Sequence, residues 1–96
     1  MKIIKDAIAG TLESSDIQVK VSPHKGLEIV IHSDVMHQFG DQITSTVKET
    51  LKKLGLTDGL IIVEDKGALD CAIKARVEVA VLRGADVNEL NWSQLK

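Results

Sequence analysis

Ninety-six residues with 12 Lys and Arg, 14 Asp and Glu and a net charge of −2 make one domain, 44% apolar and too short for a substrate cleft with several lobes. One Phe, one Trp, no Tyr and scattered basic residues leave neither base-stacking surfaces nor a cationic stripe, which excludes nucleic acid as a partner. The lone cysteine, Cys71, can form no internal disulfide, zinc knuckle or redox pair; with no secretory h-region and no membrane span in the sequence, the expected location is the cytoplasm.

In chain order, Ile8, Gly10 and Leu12 alternate with Ala9, Thr11 and Glu13, which predicts a short first strand with the former three as its apolar phase. Ser14 and Ser15 follow in an expected hairpin turn, Gly10 to Asp16, before Ile17, Val19 and Val21 alternate with polar residues as a half-buried second strand, 17–22. Pro23 to Gly26 is a second turn, and it predicts a hairpin return into a third strand, 27–33, paired with 17–22.

The period then lengthens. Phe39, Ile43, Val47, Leu51 and Leu54 line one face of a helix capped by Ser33 or Asp34, or by Asp41 if Gly40 shortens it, and stopped by Gly55. Leu60 to Val63 is an unbroken apolar run, read as a central strand covered on both faces. Leu69, Ala72, Ile73, Val77, Ala80 and Val81 define a second helix that Gly84 is expected to end. The tail 85–96, with Trp92 as its one anchor, is expected to be mobile. The order β-β-β-α-β-α predicts an α+β, two-layer sandwich: a mixed four-stranded sheet with two helices on one face, all in one domain, 1–96.

Few residues suggest chemistry. A serine needs a neighbouring base to act as a nucleophile, and none stands near Ser14 or Ser15, so an exposed hydroxyl there suits being modified. Glu13 and Asp16 flank the pair on an expected solvated tip, where they would orient a partner or keep the turn soluble. His24, His32 and His37 lack metal-ligand spacing. Cys71 reads as a small buried hydrophobe, and Asp65-Lys66-Gly67 as a turn opening a helix, with an anion cradle as the weaker alternative.

Ala9-Gly10-Thr11-Leu12-Glu13-Ser14, Gln38-Phe39-Gly40-Asp41, and Asp65-Lys66-Gly67-Ala68-Leu69-Asp70-Cys71 followed by Ala75-Arg76-Val77-Glu78 resemble, in order, the acyl carrier protein (gamma subunit) of citrate lyase. The resemblance implies that Ser14 carries 2'-(5''-phosphoribosyl)-3'-dephospho-CoA through a phosphodiester, its terminal thiol holding acetyl and then citryl. Ser15 stands where some relatives have glycine and is the second candidate. The resemblance further implies a non-catalytic carrier. Its partners would be the alpha and beta subunits of the lyase, the enzyme that transfers the prosthetic group and the ligase that acetylates it. The alternatives are the carrier of malonate decarboxylase, an unmodified adaptor and a small thiol enzyme using Cys71.

Overall fold

A computed structural model describes residues 1–86. Its elements run β1 (Ala7–Gly10), β2 (Ile17–Ser22), β3 (Leu27–Ser33), α1 (Met36–Leu54), β4 (Gly59–Asp65) and α2 (Asp70–Gly84). The strands form one sheet in the order β1-β2-β4-β3. β1 and β2 are an antiparallel hairpin, β2 and β4 are antiparallel, and β3 and β4 are parallel, with α1 as the crossover between them. The α+β sandwich with a mixed four-stranded sheet is therefore the observed architecture.

The pairing of strand 27–33 with 17–22 is not. β4 lies between them, with Ile17 opposite Asp65 and Leu27 opposite Gly59. Ile61 and Val63 are the cause, because each can be dried fully only in a strand with neighbours on both sides. The four-residue turn after β2 still reverses the chain but spans the width of the inserted strand.

One face of the sheet is dry. Ala9, Val19, Val63 and Ile31 form a row across the four strands, with Ala7, Val21, Ile61 and Ile29 as the next. Onto these rows α2 lays Ile73, Val77, Ala80 and Val81, and α1 lays Ile43, Val47 and Leu51. Each such side chain contributes about 1.5–3 kcal/mol when fully buried. Two threonines lie in the buried face of α1, and Thr50 satisfies its hydroxyl by donating to the Thr46 carbonyl at 2.8 Å.

The opposite face carries the alternate residues, Ile8, Lys20, Ile62 and Val30 in the middle row. Leu60 and Ile62 are only half-buried there, so the apolar run of β4 is covered on one face and not on both. β1 is inverted relative to its expected phase: Ala9 is buried, while Ile8 is 46% exposed and Leu12 lies beyond the strand. A small residue is needed at the inner position because α2 passes close to this edge strand.

The helix ends also differ from the sequence reading. α1 begins after Val35, with no side-chain cap. Ser33 is drawn instead to Asp65, donating its hydroxyl to Oδ2 at 2.8 Å while accepting the Val35 N–H at 3.1 Å. Asp34 and Asp41 do not cap it, and Gly40 is an ordinary helical residue beneath Met36. Gly55 stops α1 as expected, in the left-handed conformation with φ 74°, the Leu56 N–H returning to the Leu51 carbonyl. Phe39, assigned to the inner face, is 49% exposed in the first turn of α1.

Gly84 is the last residue of α2 and serves packing there. A Cβ would lie 2.6 Å from Val21 Cγ2, and the Gly84 carbonyl accepts the Ile4 N–H at 2.9 Å. The segment before β1 is thereby held between α2 and the start of β4, burying Ile3. Of the tail 85–96, Ala85 and Asp86 close α2, and Lys5 pairs with Asp86 at 3.1 Å. The rest, including Trp92, lies outside the described residues.

Candidate functional site

The segment between β1 and β2 is built around one carboxylate. Asp16 Oδ2 accepts the Thr11 hydroxyl at 2.6 Å and the Arg76 guanidinium at 3.3 Å, and Oδ1 accepts the Ile17 N–H at 2.7 Å. The Thr11 hydroxyl in turn accepts the Glu13 N–H at 3.2 Å. These bonds hold the Asp16 carboxyl below the usual carboxylate range, the Thr11 hydroxyl first, then the Ile17 amide, with Arg76 adding its charge. Asp16 is therefore the loop's anchor, not a free acid at its tip. Glu13 is exposed.

A β-turn crowns this anchor. The Asp16 N–H donates to the Glu13 carbonyl at 3.1 Å, so Ser14 and Ser15 are its two central residues. Ser15 has φ 65°, and Ser14 is not among the residues with positive φ. A positive φ at the second central position alone marks a type II turn, which favours glycine there. The demand at position 15 is thus conformational, one that glycine meets without strain. The demand at position 14 is not: backbone geometry accepts any residue, and the hydroxyl stands in solvent. The loop's hydrogen bonds run through Thr11, Asp16 and the backbone; among the described residues neither serine hydroxyl takes part in them.

The turn rests on the far end of β4. Ser15 N–H donates to the Lys66 carbonyl at 2.8 Å, and Lys66 N–H to the Asp16 carbonyl at 2.9 Å, continuing the β2–β4 ladder by one step. Asp65, fully buried, stiffens this shelf by accepting the Ala68 N–H at 2.9 Å on Oδ1 and Ser33 on Oδ2. The amides of Lys66 and Ala68 are thereby spoken for, so Asp65-Lys66-Gly67 is a support for the serine turn. Gly10 completes the geometry from below, with φ 85°; a Cβ there would drive into the Ile17 carbonyl and the Arg76 side chain.

Two cations belong to this end of the molecule: Arg76, on Asp16, and Lys66, which reaches Asp34 at 3.5 Å. Each is matched by the carboxylate it touches, so they tie the loop and the start of α1 to the rest of the fold. The sequence names Arg76 and Lys66 only within longer motifs and not as ion-pair partners, since 60 residues separate Arg76 from Asp16 and 32 separate Lys66 from Asp34.

The other candidates lie elsewhere. Cys71 is exposed in the first turn of α2, contrary to its reading as a buried hydrophobe. It lies two residues before the buried Ile73, about 200° around the helix and so on the outer side. His24 approaches Glu28 at 3.3 Å. Among the described residues, no three His, Cys, Asp or Glu side chains converge as metal ligands, and no helix is long and apolar enough to cross a membrane.

Residues 4–84 match the family described as ACP, malonate decarboxylase delta subunit (MdcD). The chain is 59% identical over 96 residues to the citrate lyase acyl carrier protein of Enterobacter sp. (strain 638), covering 99% of each chain. It is 58% identical over 92 residues to that of Haemophilus influenzae (strain PittEE), covering 96% of each. A chain in the crystal structure of a Pseudomonas malonate decarboxylase hetero-tetramer has the same fold, with a TM-score of 0.73 over 82% of each chain at 20% identity. Matched along its whole length at this identity, the chain belongs to the family of citrate lyase acyl carrier proteins.

Proposed function

We propose that this chain is the acyl carrier subunit of a cytoplasmic citrate lyase, and that Ser14 bears its phosphoribosyl-dephospho-coenzyme A group. The observation that carries the residue assignment is the serine turn. Ser14 presents a solvated hydroxyl from a position that backbone geometry leaves free, whereas Ser15 fills a left-handed position. When bound, the group supplies a terminal thiol on which acetyl and citryl travel as thioesters. The chain's own residues provide the mooring. Asp16, Thr11 and the Lys66 backbone fix the turn, and Arg76 braces Asp16 from α2.

A carrier works by delivery. Attachment at one end of a small rigid domain confines the cargo near the alpha and beta subunits, giving an effective concentration in the millimolar range without tight binding to either. Acyl exchange and cleavage then belong to those partners, in keeping with a carrier family that is not itself catalytic.

The test is intact mass after expression with the modifying enzymes. The wild-type chain should gain the mass of the group, with peptide mapping to Ser14. Ser14→Ala should remain folded, gain nothing and fail to support citrate cleavage in the reconstituted complex. Loading of Ser14→Ala together with failure of Ser15→Gly would move the site to Ser15. The family description and the Pseudomonas neighbour sustain one second reading, a malonate decarboxylase carrier, which recovery of a malonyl ester in place of acetyl would favour.

A further inference from the structure

The two helices start side by side, and between their first turns lies an apolar groove of about 400 Å³. Val35, Phe39 and Ile43 form one wall, Ala68 and Leu69 the other. Its rim has a single polar pair, Gln42 donating to Asp70 at 3.0 Å. Phe39 is 49% exposed and Leu69 74%, so both offer apolar surface to an occupant.

This groove and the serine turn share one end of the molecule. Lys66, whose carbonyl holds the Ser15 amide, begins the connection that supplies Ala68 and Leu69. Three residues separate Lys66 from Leu69, at most about 11 Å of chain.

We propose that the groove cradles the pantetheine stretch of the group attached at Ser14, holding the arm on the carrier between deliveries. The inference rests on the Ser14 reading. Three properties select this occupant. The groove lies at the same end of the molecule as the attachment turn, the two joined through Lys66. Its size, at the lower end of the ~300–1,000 Å³ typical of small-molecule sites, suits the geminal methyls, methylenes and two amides of that stretch but not a whole nucleotide as well. Its walls are apolar with one polar pair at the rim, and Asp70 there disfavours an anionic citryl end, which is left in solvent for the partners. A docked protein needs roughly 800 Å² of surface on each side, far more than this narrow cleft offers.

The experiment compares the unloaded and loaded full-length chain by NMR, after intact mass has established loading. Expected are shifts at Val35, Phe39, Ile43 and Leu69 on loading, with nuclear Overhauser contacts from the arm's geminal methyls to Ile43 and Leu69. In Leu69→Asp, an exposed position that should leave fold and added mass unchanged, those contacts should vanish and the arm's signals sharpen to those of a free tether. A loaded chain with shifts confined to Thr11–Asp16 would overturn the groove assignment while leaving the carrier reading intact. Shielding of Phe39 and Leu69 only on addition of the partner subunits would overturn it in favour of a protein contact. Absence of any added mass would sink both readings together.

Discussion

Two connections, 11–16 and 23–26, clasp the two ends of β4 in parallel ways and do different work. At one end Asp16 and Ser15 bond the Lys66 backbone; at the other the Gly26 N–H meets Asp58 Oδ1 at 2.8 Å, and the Gly59 N–H meets the Gly26 carbonyl at 2.9 Å. Each uses one carboxylate as its pin. The first joins strands that pair with each other and crowds its own base, Gly10 lying against Ile17 and Arg76. The second joins strands that never pair, and Gly26 looks onto open space. A tightly built turn can hold a hydroxyl at a fixed place, while a loosely built one only returns the chain.

Equal substitutions in the two connections should break this symmetry. Gly10→Ala combines a left-handed strain of about 1–3 kcal/mol with a backbone collision, so a loss of about 3 kcal/mol or more and a melting-temperature fall of roughly 15 °C are expected. Gly26→Ala carries the strain alone, about 1 kcal/mol and roughly 5 °C, with attachment at Ser14 unchanged. Calorimetry on both variants checks the pair, and equal losses would erase the distinction.

A gentler probe is acid. The folded-state pKa of Asp16 is depressed below 3.8, so its contribution is fully present above that value and is lost as pH falls through the folded pKa. In an NMR titration the Thr11 and Ile17 amides should move together below pH 3.8. Asp16→Asn, which keeps an oxygen for the Ile17 N–H, should abolish that step and leave the signals around Gly26 as they were.

The smallest effect is expected of Ser15→Gly. Relief of the left-handed strain and the greater freedom of the unfolded chain nearly cancel, leaving stability within about 0.5 kcal/mol and attachment intact. Failure to accept the group would mean that the Ser15 hydroxyl itself is used.

What the sequence made legible follows from the range of each cause. β2 and α1 announce themselves by local period, β4 by an apolar run that marks a strand without telling its faces apart, and Gly55 by the left-handed stop it supplies. The split between β2 and β3 was hidden because turn chemistry at Pro23 to Gly26 says that the chain reverses and nothing about which strand fills the space beside it. The exposed side of Cys71 was readable by counting two residues back from Ile73. The support of the serine turn was not, since Arg76 and Lys66 reach it only through the finished sheet.

The insertion of β4 also has a kinetic side. Every rung between β3 and β4 joins residues 32 apart in sequence, and those between β2 and β4 join residues 38 to 48 apart. Two strands that emerge early from synthesis must wait, unpaired on their facing edges, for a third that arrives after an entire helix, and such long loop closures slow folding. The shelf at Lys66 arrives directly after that strand. A modifying enzyme that recognises the shaped turn would therefore meet it only on chains whose sheet is complete, so that the costly group is withheld from unfinished molecules.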